Sequence, residues 1–92
     1  MALPAPAVGA PTIMEILLFA QAKDIAGCDR VRLDICEPIS IDQLWDALIA
    51  SFPGLAPLRR AARIARNGHY ATSTTRLEPG DEVAVIPPVS GG

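Results

Sequence analysis

Side chains that could act as nucleophile, base or metal ligand are few in this chain of 92 residues, and their spacing defeats the usual catalytic constellations. Cys28 and Cys36 fit neither CxxC redox chemistry nor the four-cysteine set that an iron–sulfur cluster requires. His69 is the single histidine, so it cannot complete a four-ligand metal site with two cysteines. Nor does any spacing select one of Asp24, Asp34, Asp42, Asp46 or Asp81 to orient it in a triad, and it reads as an exposed hairpin residue. No GxxxxGKS/T or GxGxxG loop is present to cradle a nucleotide. The expectation is a chain that binds no metal and no cofactor of its own.

The segment Pro87-Pro88-Val89-Ser90-Gly91-Gly92 offers a different chemistry. Two successive prolines cannot continue a β-ladder and favour a stiff, extended exit. At about 3.3 Å per residue, six such positions reach roughly 20 Å beyond a fold. Glycines without Cβ let the last carbonyl pass down a channel too narrow for side chains. A terminal carboxylate at Gly92 is ionised at neutral pH and inert until activated. Coupling to AMP would make it a reactive mixed anhydride. ATP must then be handled by a partner enzyme, leaving Gly92 as glycyl-AMP. A sulfur donor displacing AMP leaves a thiocarboxylate; an amine displacing it leaves a protein conjugate.

The rest of the chain must position that tail. Half of the residues are apolar and 20% are charged, enough for one small domain with a compact core. Of nine prolines and seven glycines, half lie in residues 1–12 (Pro4, Pro6, Gly9, Pro11) and 87–92. The division expected is therefore a disordered extension over 1–12, a folded domain over 13–86 and a flexible tail over 87–92. A net charge of -2 gives no basic excess for nucleic acid. Arg59, Arg60, Arg63 and Arg66 read as a solvated face, with a local basic patch as the alternative. The proline-broken N-terminus is a poor signal peptide and no apolar run approaches a membrane span, so a cytoplasmic protein without membrane contact is expected.

Ile13 to Phe19, interrupted at Met14 and Glu15, predicts a buried first strand. Val31, Leu33 and Ile35 alternate with charged residues and predict a second, one-faced strand, joined to the first as a hairpin through Gly27-Cys28-Asp29. Ser40 and Gln43 form a capping-box signature, flanked by Ile39 and Leu44 as a hydrophobic staple. Ile41, Leu44, Trp45, Leu48, Ile49 and Phe52 mark one stripe of a helix over 41–52, ended by Pro53-Gly54, with Trp45 in the core. Ala62 to Arg66 is a weak strand candidate. Asn67-Gly68 is a two-residue hairpin turn, followed by a return strand at His69 and Tyr70. A turn at 77–81 leads to a final strand, Glu82 to Ile86. Strand, strand, helix, strand, short strand, strand describes an α+β fold of the β-grasp, or ubiquitin-like, type: a mixed sheet of about five strands, one main helix and an extended tail.

Three stretches together resemble one family. Ile16-Leu17-Leu18-Phe19-Ala20-Gln21-Ala22-Lys23-Asp24 followed by Gly27, then Leu77 with Gly80-Asp81-Glu82-Val83, and above all Pro87-Pro88-Val89-Ser90-Gly91-Gly92 are similar to the MoaD family of sulfur-carrier subunits, relatives of the thiamin-pathway carrier ThiS. The resemblance runs from about residue 14 to 92. It implies adenylation of Gly92 by a MoeB-like enzyme and sulfuration to a thiocarboxylate by a sulfurtransferase or cysteine desulfurase. The tail (Gly91, Ser90, Val89, Pro88, Pro87) is then expected to insert into a large subunit, MoaE, in an assembly of two small and two large chains. There sulfur attacks cyclic pyranopterin monophosphate, and two rounds build the dithiolene of molybdopterin. By the same resemblance Phe19, Tyr70 and Ile86 fall on the face shown to partners. The small subunit is not an enzyme on its own. Alternatives of the same fold are a carrier for thiamin or tRNA thiolation and a ubiquitin-like modifier of protein lysines.

Two positions depart from the family pattern. Lys23-Asp24 stands where Arg-Glu is more frequent, and Arg66 stands where an aliphatic residue is frequent. Arg66 is accordingly expected either on an edge strand or within the arginine patch. Residues 1–13 have no counterpart, and Met14 resembles the family's start.

Overall fold

The computed structural model describes residues 13–88. The expectations for residues 1–12 and for Val89, Ser90, Gly91 and Gly92 lie outside the described residues. In order, the elements are β1 (Ile13–Leu18), α1 (Ala20–Ala26), β2 (Arg30–Asp34), β3 (Ile39–Ser40), α2 (Ile41–Ser51), a 3-10 helix (Pro53–Leu58), β4 (Arg63–Arg66), β5 (His69–Tyr70), β6 (Arg76–Leu77) and β7 (Glu82–Ile86).

Five strands form one mixed sheet in the order β2-β1-β7-β4-β5, with β1 and β7 parallel at its centre. Parallel neighbours need a long crossover, and here everything from α1 to β6 supplies it. β1 pairs antiparallel with β2, and β7 pairs antiparallel with β4. This is the β-grasp.

α2 starts where its capping box places it. The Ser40 hydroxyl accepts from the Gln43 N–H at 3.1 Å, and the Gln43 side chain accepts from the Ser40 N–H at 2.8 Å. Two amides that the first turn leaves unpaired are thus satisfied reciprocally. Asp42 in that first turn also suits the positive end of the helix dipole. Leu44, Trp45 and Leu48 point one stripe at the sheet, where Met14, Ile16, Leu18, Val83 and Val85 are almost wholly buried. Trp45 is a core residue, 3% exposed.

Three expectations need correction. The link between β1 and β2 is not a tight hairpin turn but carries α1, a seven-residue helix. Gly27, at φ 76°, ends it, its N–H donating to the Lys23 carbonyl at 2.9 Å. Ala22 is the one residue α1 buries, and a Cβ at Gly54 would stand 2.8 Å from Ile25 Cγ2, so the 3-10 helix approaches α1 closely through a glycine. Next, β1 is not buried throughout. Met14, read as an interruption, is at 0% in the core, whereas Ile13 is 45% exposed and Leu17 is half-buried. Finally, β4 lies between β7 and β5 and is no edge strand, so Arg66 is not there to cover an edge. A further small sheet of β3 and β6 ties the start of α2 to the 77–81 turn, and no local pattern announced it.

Asn67 and Gly68, at φ 50° and 87°, make the hairpin turn in which both central residues are left-handed. Cys28 is half-buried and Cys36 exposed, and both thiols are free. Among the described residues no group of three or more His, Cys, Asp or Glu side chains is placed to hold a metal, and no helix is long and apolar enough to cross a membrane.

Candidate functional site

Register alone assembles the site. Paired residues on neighbouring strands share a face. Arg30 pairs with Leu17, Leu17 with Ala84, Ala84 with Ala65, and Ala65 with Tyr70, giving one row across all five strands. The next row toward the tail holds Ile86 beside Arg63, with Phe19 one residue past the β1 end. These rows look away from α2, because the alternate residues Ile16, Leu18, Ile64, Val83 and Val85 fill the core.

The result is an apolar groove of about 360 Å³ on the open face of the sheet, lined by Leu17, Phe19, Ala65, Tyr70, Ala84 and Ile86 and edged by Gly68 and Glu82. Phe19 is 47% exposed and Tyr70 62%, a large aromatic surface that the described residues leave uncovered. Phe19, Tyr70 and Ile86, singled out from sequence, therefore meet in one place. Leu17, Ala65 and Ala84 were not singled out, although Leu17 stands two residues before Phe19 and Ala84 two before Ile86, so strand periodicity puts each pair on one face.

Two backbone features set this face. Ala20 adopts φ 50°, a left-handed conformation costly for a residue with a Cβ, so the chain turns sharply from β1 into α1 directly after Phe19. Pro87 is buried and Pro88 exposed, so the chain leaves β7 next to Ile86 and the groove. His69 is exposed on the hairpin, as its position predicted.

Charges are distributed unevenly around the sheet. On the open face Glu15 holds Arg30 at 3.0 Å and Arg32 at 3.9 Å. At the end of β7 remote from the tail, Asp81 accepts from Arg66 Nε at 2.6 Å, from Asn67 Nδ2 at 3.1 Å and from the Glu78 N–H at 2.8 Å. Partial burial alone would raise the Asp81 pKa, but the Glu78 amide, Arg66 and Asn67 outweigh it and hold the carboxyl below its ordinary value. Arg66 is thus spent on the 77–81 turn. Arg59 is bound to Asp46 at 3.0 Å and to Asp42 at 3.4 Å. The arginines at 59 and 66 are paired separately, while Arg59 and Arg63 line one pocket together with Asp42.

The ThiS family profile matches residues 16–92. The chain belongs to the ThiS family. Within reach of that family match, the Homo sapiens protein named molybdopterin synthase sulfur carrier subunit is 37% identical over 82 residues, covering 86% of this chain and 93% of that protein. Among solved structures, small archaeal modifier protein 1 (SAMP1) from Haloferax volcanii superposes with a TM-score of 0.76 at 33% identity, covering 87% of this chain and 99% of that one. The complex of subunits 1 and 2 of the molybdopterin-converting factor from Helicobacter pylori contains the same fold, with a TM-score of 0.60 at 23% identity over 87% of this chain and 99% of that one. The ThiS family match reaches through Gly91 and Gly92, beyond the described residues.

Proposed function

We propose that this chain is the sulfur-carrier subunit of a molybdopterin synthase, and that Gly92 carries the sulfur. The observation that carries the reading is the apolar groove of Phe19, Tyr70 and Ile86 at the root of a Pro-Pro exit, in a chain whose family match runs to residue 92. The human relative's name, a sulfur-carrier subunit of that synthase, supports the same reading.

The chemistry proceeds at one carbonyl. A Gly92 carboxylate oxygen attacks the α-phosphorus of ATP on a MoeB-like enzyme, pyrophosphate leaves, and glycyl-AMP forms. The terminal sulfur of a persulfide on a sulfurtransferase or cysteine desulfurase attacks the glycyl carbonyl and expels AMP, and a second thiol then reduces the S–S bond of the resulting acyl disulfide, leaving the thiocarboxylate on Gly92 and a disulfide between the thiols. The groove then seats the carrier on a MoaE-like large subunit while Ser90 and Gly91 line the inserted arm. The thiocarboxylate sulfur attacks a carbon of cyclic pyranopterin monophosphate, and water cleaves the C–S bond of the resulting thioester, leaving sulfur on the pterin and Gly92 as a carboxylate. The chain itself contributes position and the acyl carbonyl that carries the sulfur; activation and transfer belong to its partners.

Likeness to SAMP1 favours one second reading, in which a lysine amine displaces AMP and Gly92 forms an amide with another protein. Reconstitution with the adenylating enzyme, ATP, a sulfur source, the large subunit and the pterin substrate tests the proposal. Gly92 deletion or Gly92→Ala is expected to abolish molybdopterin formation while leaving the fold intact. Unchanged product formation would overturn the mechanism.

A further inference from the structure

Arg63 is set apart from the chain's other open-face arginines. Its Cα pairs with that of Ile86, the last β7 residue before Pro87, so it stands beside the root of the tail. Its guanidinium carbon lies 5.2 Å from the centre of the Tyr70 ring, a cation stacked on an aromatic face. Arg30 and Arg32 share Glu15 on the same face, and Arg59 and Arg66 bind carboxylates elsewhere. Among the described residues no carboxylate lies within ion-pairing distance of Arg63. An exposed arginine pinned over a tyrosine keeps its planar fork of donors pre-oriented toward solvent, which lowers the entropy lost when a partner's carboxylate docks on it.

We infer that Arg63 and Tyr70 form a charged edge to the apolar groove, taking an acidic side chain of the large subunit at the root of the tail and so fixing the direction in which the tail enters. The inference rests on the sulfur-carrier reading and adds to it the charge that the partner must present. On the opposite, β2 side of the groove Glu15 already engages both Arg30 and Arg32, so the acidic contact falls to Arg63 on the β4–β5 side. An apolar groove makes contact without strict orientation, and a single ion pair at one edge supplies the missing register.

Binding of the full-length chain to its large subunit, measured by calorimetry from low to high salt, tests this. Arg63→Glu is expected to weaken binding at least tenfold at low salt, because like charges meet at a desolvated edge. Arg63→Gln should lose less, and Arg63→Lys, which keeps the charge but not the stacked fork, should recover part of the loss. For both Arg63→Glu and Arg63→Gln the deficit should shrink as salt rises and the Debye length falls. Arg63 is exposed, and thermal melts matching the wild type show that the variants fold. If the wild type binds and Arg63→Glu binds equally at low salt, this inference is overturned while the carrier reading stands. If the wild type binds no large subunit at any salt, the carrier reading falls and this inference with it.

Discussion

The two faces of one sheet are made from the same strands and both carry large apolar side chains, yet these have opposite fates. Ile16, Leu18, Val83 and Val85 on the inner face are at most 1% exposed beneath α2. On the outer face Phe19 and Tyr70 are about half exposed or more, and none of the described residues covers the groove between them. A domain with one main amphipathic helix can cover one face of its sheet only. An exposed apolar groove in so small a fold costs solubility unless something else covers it, as the proposed large subunit would.

Mutations on the two faces should therefore separate stability from binding. Ile16→Ala empties a fully buried site and is expected to cost about 3 kcal/mol in urea unfolding. Phe19→Ala should cost less than about 1 kcal/mol of stability but roughly 2 kcal/mol of affinity for the large subunit, as loss of a central aromatic anchor does. An outer-face variant that unfolds the domain as Ile16→Ala does, or binds as the wild type does, would break the contrast between the faces.

A smaller effect probes the far end of β7. The Asp81 pKa is lowered in the folded state, so its contribution is fully present above the ordinary carboxylate value and is lost as pH falls through the folded value. Asp81→Asn is expected to cost about 1 kcal/mol near neutral pH and to flatten the acid limb of the stability profile below about pH 4. Affinity for partners should not change, because the Asp81 cluster binds the 77–81 turn to the β4–β5 hairpin at the end of β7 opposite the tail. A matching fall in affinity would show that the groove depends on that clamp.

Features encoded within a few residues were readable in sequence. The capping box at Ser40 and Gln43, the Asn67-Gly68 turn and the final strand each carry their own local signal, and each stands where expected. The features that escaped depend on distant partners. α1 completes barely two turns and buries only Ala22, too little for a helical period to emerge. The β3–β6 pair joins two dipeptides from opposite sides of α2. β1 reads as buried because Ile13 and Leu17 make its outer face apolar on either side of Glu15, and only the packing of α2 against the other face decides which one stays open. Arg66 was ambiguous for the same reason, since Asp81, which claims it, lies on another turn. Of the site, Phe19, Tyr70 and Ile86 were found through family resemblance, whereas Leu17, Ala65 and Ala84 needed the register to join them.

The account's central claim is that the groove and the Pro-Pro exit exist to present Gly92 for sulfur loading. Intact mass spectrometry of the full chain after incubation with its adenylating enzyme, ATP and a sulfur donor tests it most directly. The account predicts a gain equal to the exchange of one oxygen for one sulfur, located to Gly92 and lost on its deletion. An unchanged mass, or a ladder of high-mass adducts with other proteins and no thiocarboxylate, would contradict it.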